Sequence, residues 1–165
     1  MTCEKFKANK LHKDVLEEIA SKIKLLDGCK ELFEELHRRN IKIHIVSGSI
    51  LLIIQRVLKE HTWLVDSIKA NDFMFSSAGF LIEIFGTKYD FEGKAAYISE
   101  VADSLNISPA DILFVGNSYN DKHAYKSGAS TLCINPIKTD PSDTVVWHNR
   151  IDDCTNLMQL LSSIA

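Results

Sequence analysis

The chain has 165 residues, is 45% hydrophobic and 25% charged, and carries a formal net charge of -3. That is the length of one domain, with enough apolar content to bury a core, which excludes a disordered chain. The slight acidity, with lysines spread along the sequence, gives no electrostatic case for nucleic acid or an anionic membrane surface as partner.

Residues 1–26 read as a polar, helical segment in which Val15, Leu16, Ile19, Ile23 and Leu26 recur at spacings of three and four. The opening "MTCEKFKANKLHKD" lacks the apolar middle of a secretory leader. No run approaches the roughly 18 consecutive apolar residues of a membrane-spanning helix. A second helix starts at Asp27-Gly28, with Leu32, Phe33 and Leu36 on one face, and stops at Asn40. Ile41 to Val46 reads as a strand, and Ile50 to Leu58 as a helix apolar enough to be largely buried.

Val65 to Ala70 reads as a short strand, and "FMFSSAGFLIEIF" as a hairpin turning near Ser77-Ala78-Gly79. Gly93 to Leu105 is expected to be a helix with Ala96, Ile98, Val101, Ala102 and Leu105 inward. Ile112 to Val115 is an apolar strand, Asp121 to Lys126 a helix stopped by Gly128, and Thr131 to Ile134 a strand closed by Asn135-Pro136. Val145 to Trp147 reads as a last strand, and Leu157, Leu160, Leu161 and Ile164 mark a C-terminal helix. Strands that are short apolar runs alternating with helices predict a parallel sheet covered on both faces, an α/β three-layer Rossmann-like architecture. In such sheets ligands bind beyond the carboxyl ends of the strands.

Two strand ends carry polar residues with chemical potential. The first is Ser47-Gly48-Ser49, after "KIHIV". A serine there is an N-cap for the helix that follows. The same hydroxyl, with a glycine that lets the backbone approach and free N–H groups at a helix start, is equally a seat for a phosphate. The second is Gly116-Asn117-Ser118-Tyr119-Asn120-Asp121, after "ILFV". Asp121 offers the hard oxygen that Mg2+ prefers, or an N-cap for the next helix. Between them, Lys94 opens the helix of "FEGKAAYI". A cation in a first helical turn is disfavoured by the dipole, by a few tenths to about 1 kcal/mol, unless an anion is near. His44 and His123 read as a structural strand histidine and an exposed helix histidine. Trp63 and Trp147 read as packing. The four cysteines, Cys3, Cys29, Cys133 and Cys154, form no CxxC pair and predict reduced thiols in a cytoplasmic setting.

An apolar strand ending in Ser, then a Lys opening a helix, then an apolar strand followed by Gly, an Asp-like position and an Asp four residues further on, resembles the haloacid dehalogenase superfamily of phosphotransferases. "IHIVS" matches its second motif, Lys94 its third and "ILFVGNSYND" its fourth. The resemblance covers about residues 27–165 and is to the phosphoserine phosphatase-like branch. It implies a Mg2+-dependent phosphatase acting on a small phosphorylated metabolite. Ser47, Gly48 and Lys94 would hold the phosphoryl group, Ser47 and Lys94 would act catalytically, and Asn117 and Asp121 would serve the metal. Asn117 departs from the family, which has Asp there, and an amide brings no charge.

The family's first motif, an apolar strand ending in Asp-x-Asp, has no counterpart upstream of Ser47. The first Asp of that motif is the nucleophile and the second the general acid and base. The expectation is therefore a fragment whose residues 1–26 are a helical cap remnant and whose residues 27–165 form the α/β core. Its central first strand would be missing and the isolated chain inactive. A strand-donating partner or a second copy would be an alternative source of that strand. A catalytically silent phosphate- or partner-binding protein is the competing reading.

Overall fold

Two three-stranded sheets organise the chain, one before residue 87 and one after it. The computed structural model describes residues 6, 10–121, 123–137 and 147–164. They divide into two compact units, Met1–Thr87 and Lys88–Ala165.

The first unit runs α1 (Lys13–Lys22), α2 (Cys29–Arg38), β1 (His44–Ile50), α3 (Leu51–Leu58), β2 (Ser67–Phe75) and β3 (Leu81–Phe85). β1 and β2 are parallel, and β2 and β3 form the expected antiparallel hairpin. α1 packs on α3, burying Leu16 and Ala20, an i,i+4 pair. Val15, Ile19, Ile23 and Leu26 lie off that face and are more than two-fifths exposed. The helix also ends at Lys22, because Ile23 turns extended, so it is shorter than the periodicity suggests.

His12 fastens the start of α1 to the hairpin. Its Nδ1 accepts the Asp14 N–H, which leaves Nε2 to donate to the Ala78 carbonyl at 2.9 Å. Gly79 sits against that ring with φ +83°, and a Cβ there would meet Nε2 at 2.2 Å, so both its backbone and its neighbour require glycine.

The second unit runs α4 (Gly93–Leu105), β4 (Leu113–Gly116), β5 (Ser130–Ile134) and β6 (Asn149–Ile151). Its sheet is all parallel, in the order β4-β5-β6. α4 places Ile98 against Ala124 and Ala129, with Ile112 and Phe114 packed on that cluster. Ile98, Val101 and Ala102 point inward as expected, but Ala96 is exposed and Leu105 is 40% exposed; Lys94 and Tyr97 are buried in their place. The expected helix from Asp121 to Lys126 is two short 3-10 turns, Tyr119–Asp121 and Ala124–Ser127, the second stopped by Gly128 at φ +88°. The C-terminal segment Leu157–Ser163 is likewise 3-10 rather than α. The last strand is β6 rather than Val145 to Trp147; Val145 and Val146 lie outside the described residues.

The chain is thus α/β, with parallel pairing in both sheets and helices packed on the strands. Among the described residues β1 has one strand neighbour, β2, and β4 has one, β5. No described helix is long and apolar enough to cross a membrane. Cys29, Cys133 and Cys154 are buried free thiols.

Candidate functional site

Each unit carries one of the strand ends singled out above. In the first, Ser47-Gly48-Ser49 is not the strand-to-helix turn that the sequence suggests. β1 continues to Ile50, and α3 begins only at Leu51 with Ile50 as a cap that supplies no side-chain bond. The pairing register explains the residues in between. Val46 pairs with Lys69 and Ile50 with Asn71, so Ser47-Gly48-Ser49 stands opposite Ala70 alone. The three residues bulge from the sheet, which unpairs and re-aims their groups. The Ser47 hydroxyl accepts the Ser49 N–H at 3.1 Å, closing the bulge on itself.

Asn71 holds this bulge in place and was not legible as a site residue. Its Nδ2 donates to the Gly48 carbonyl at 2.6 Å, and its Oδ1 accepts the Thr87 N–H at 2.8 Å. The sequence suggests a short strand over Val65 to Ala70 and a separate hairpin from Phe73, with Asn71 in neither. In fact β2 passes straight through it, and the Asn side chain faces the gap that the bulge opens. Asn71→Ala would remove both bonds and leave two part-buried backbone groups unmatched. It should lower stability by about 1–3 kcal/mol, measured by urea unfolding, and broaden the Ser47–Ser49 amide resonances. A variant as stable as the parent would show that the bulge holds itself.

In the second unit the geometry is tighter. Lys94, expected at the start of a helix, is the second residue of α4 and is only 4% exposed. Its Nζ lies 2.5 Å from Asp121 Oδ1. Lys94 is therefore no solvated surface lysine. Asp121 is itself 7% exposed, and its Oδ2 accepts the backbone N–H groups of Asn117 and Ser118 at 3.0 and 3.1 Å. The Ser118 hydroxyl lies 3.4 Å from the same oxygen. One carboxylate therefore closes the turn after β4 and neutralises a cation placed against the helix dipole.

Gly116 makes room for this arrangement. A Cβ on it would lie 2.6 Å from Asp121 Oδ2 and 2.9 Å from the Trp147 ring. That ring stacks on Phe114 at 6.4 Å between centroids and 18° between planes. His123, expected to be exposed, has a side chain only 15% exposed, and its Nε2 lies 3.7 Å from Glu92. Burial pushes the Cys133 thiol above its ordinary range, so at neutral pH it is no thiolate nucleophile.

A magnesium ion does not fit these residues by themselves. Both oxygens of Asp121 already accept donors from Lys94, Asn117 and Ser118, which nearly exhausts a carboxylate's acceptor capacity. Asn117 is exposed and offers one neutral amide oxygen. Among the described residues no three His, Cys, Asp or Glu side chains converge to hold a metal. Lys94, Asn117 and Asp121 are brought together within the second unit. Ser47 and Gly48 belong to the first and are held there by Asn71.

A family model described as haloacid dehalogenase-like hydrolase matches residues 4–126. A phosphoserine phosphatase of Archaeoglobus fulgidus is 35% identical over 109 residues, 66% of this chain and 31% of that protein. A phosphoserine phosphatase of Streptococcus thermophilus is 26% identical over 125 residues, 74% of this chain and 57% of that protein. The chain therefore spans from under a third to just over half the length of these curated relatives. Among solved structures, a phosphoserine phosphatase in apo form superposes with a TM-score of 0.80 at 20% identity, covering 98% of this chain and 78% of that one. A phospho-aspartyl intermediate analogue of phosphoserine phosphatase gives 0.78 at 19% identity, covering 94% and 72%. At these identities the superpositions speak to fold.

Proposed function

The chain belongs to the haloacid dehalogenase-like hydrolase family, in its phosphoserine phosphatase-like branch, and we propose that it supplies the phosphoryl-holding residues of a phosphatase for a small phosphomonoester, with phosphoserine the first substrate to test. The observation that carries this reading is the buried ion pair of Lys94 and Asp121 at the end of β4. Burial and the helix dipole both oppose a lysine in a first helical turn, and a carboxylate placed to offset that cost marks Lys94 as a fixed cation at a strand end, where parallel sheets bind ligands.

In this reading Lys94 neutralises the phosphoryl oxygens as charge builds on them in the transition state. Asp121 fixes the direction of that ammonium. In the first unit, the family resemblance makes the Ser47 hydroxyl and the Gly48 backbone further candidate donors to a phosphoryl oxygen. Magnesium, which the resemblance implies, would turn the phosphoryl group into a better electrophile. It would need carboxylates beyond those that converge among the described residues, with Asn117 adding its amide oxygen and Asp121 remaining with Lys94.

The nucleophilic carboxylate is also not among these residues, since the chain holds no Asp-x-Asp. Alone, the 165 residues should release no measurable phosphate from phosphoserine in the presence of Mg2+, by malachite-green assay. Turnover that disappears in Lys94→Ala would refute that. The second reading is a silent phosphate- or partner-binding protein, favoured by Asn117 and by the missing motif. It is separated from the first by adding a carboxylate-bearing strand in trans: only the enzyme reading predicts recovered hydrolysis.

A further inference from the structure

Trp147 lies outside every motif that points to the phosphoryl site, yet its ring reaches that site. An ideal Cβ on Gly116 would lie 2.6 Å from Asp121 Oδ2 and 2.9 Å from Trp147 Cη2. The indole therefore rests on the last residue of β4, over the backbone that Asp121 folds back to meet. Its opposite support is Phe114, two residues earlier on the strand, with the rings nearly parallel at 18°. The ring contact with Phe114 and the close approach to Gly116 place the indole along one strand. Lys94 and Asp121 are 4% and 7% exposed, although they lie at a strand end, where the carboxyl termini of a parallel sheet ordinarily meet solvent.

We propose that Trp147 is a positioning residue for the phosphoryl site: its indole keeps water from the Lys94–Asp121 pair and holds the Asp121 carboxylate against the Asn117 and Ser118 N–H groups. The proposal deepens the reading above and rests on Lys94 being the phosphoryl cation. Physically, a charge pair attracts more strongly as the local dielectric falls. It does so at net benefit only if the pair's hydrogen bonds are complete. Gly116 and Trp147 meet these two demands together. The glycine lets the carboxylate come close, and the indole fills the space that the missing side chain leaves. Any anion held by Lys94 then meets an ammonium whose direction is fixed and whose screening by solvent is weak.

The test compares Trp147→Ala and Trp147→Phe with the parent, in the full chain, by two measurements. The first is modification of lysines by acetic anhydride, with Lys94 quantified by mass spectrometry. The second is binding of inorganic phosphate, followed by calorimetry at low and high salt. Lys94 should be protected in the parent and in Trp147→Phe, and modified at least about tenfold faster in Trp147→Ala, since its partner is loosened and water admitted. Phosphate affinity should fall about fivefold or more in Trp147→Ala, with a steeper salt dependence as exposed charges are screened more than buried ones. Trp147→Phe should restore both.

If Trp147→Ala does not fold, Trp147→Leu keeps an apolar contact with Phe114 without reaching Gly116, and should show the same exposure of Lys94. Equal Lys94 protection in the parent and in a folded Trp147→Ala or Trp147→Leu overturns the proposal. A parent that binds no phosphate overturns the phosphoryl reading instead, and the modification arm still decides the role of Trp147.

Discussion

Lys94→Met is expected to lower the free energy of unfolding by about 3–5 kcal/mol, the usual loss when one partner of a buried ion pair is removed. Methionine keeps the stem of the lysine and much of its volume, so the loss is not chiefly a cavity effect. What remains is an Asp121 carboxylate 7% exposed, with its Oδ1 stripped of a donor at 2.5 Å. The double variant Lys94→Met/Asp121→Asn removes that uncompensated charge and should recover part of the loss. Its amide can still accept the Asn117 and Ser118 N–H groups. Chemical unfolding of the four proteins gives a double-mutant cycle, and the coupling should exceed about 1 kcal/mol. Independent, additive losses would mean that the two side chains do not interact as they stand.

Gly116→Ala should be the second severe change, and its sign is informative. Gly116 is not among the glycines held at positive φ. On backbone grounds alone, alanine would then stabilise by about 0.4–1 kcal/mol through the unfolded chain. The site reverses this, because the new methyl would lie 2.6 Å from Asp121 Oδ2 and 2.9 Å from the Trp147 ring. The carboxylate is tied by Lys94 and by two backbone donors, and the ring by Phe114, so neither moves without breaking contacts. A loss of about 2–4 kcal/mol is expected, in the range of overpacking combined with a displaced buried charge. The amides of Asn117 and Ser118 should lose hydrogen-exchange protection beyond what the global loss explains. An alanine variant at least as stable as the parent would contradict the crowding.

These effects also show which parts of the molecule were readable from sequence. Gly93–Leu105 was legible to the residue because its start and its αL stop at Asn106 are local signals. β4 and β5 are legible because each is a short unbroken apolar run, although only β5 is deeply buried and Val115 of β4 is exposed. The bulge at Ser47-Gly48-Ser49 is not, since it is set by the register against β2, whose paired residues Lys69 and Asn71 lie more than 20 positions further along the chain. The 3-10 turns after Asp121 were read as a helix because periodicity over six residues does not separate the two. Lys94, Asn117 and Asp121 were found by their order along the chain, but their bonding was not. Sequence favoured a metal role for Asp121, whereas its oxygens face Lys94 and two backbone donors. Asn71 and Trp147 left no local signal, since their partners are distant in sequence and one of them is a glycine that acts by lacking a side chain.

In the proposed function Lys94, fixed by Asp121, is a seat for a phosphoryl group. Titration of the isotope-labelled chain with inorganic phosphate, read by amide and lysine-ammonium resonances, tests it most directly. Saturable shifts are expected at Lys94 and at the Asn117 and Ser118 amides, with a separate set at Gly48 and Ser49, and Lys94→Met should abolish those of the second unit while chloride at equal ionic strength produces none. A parent whose Lys94 resonances do not move with phosphate, or move identically with chloride, would contradict the account.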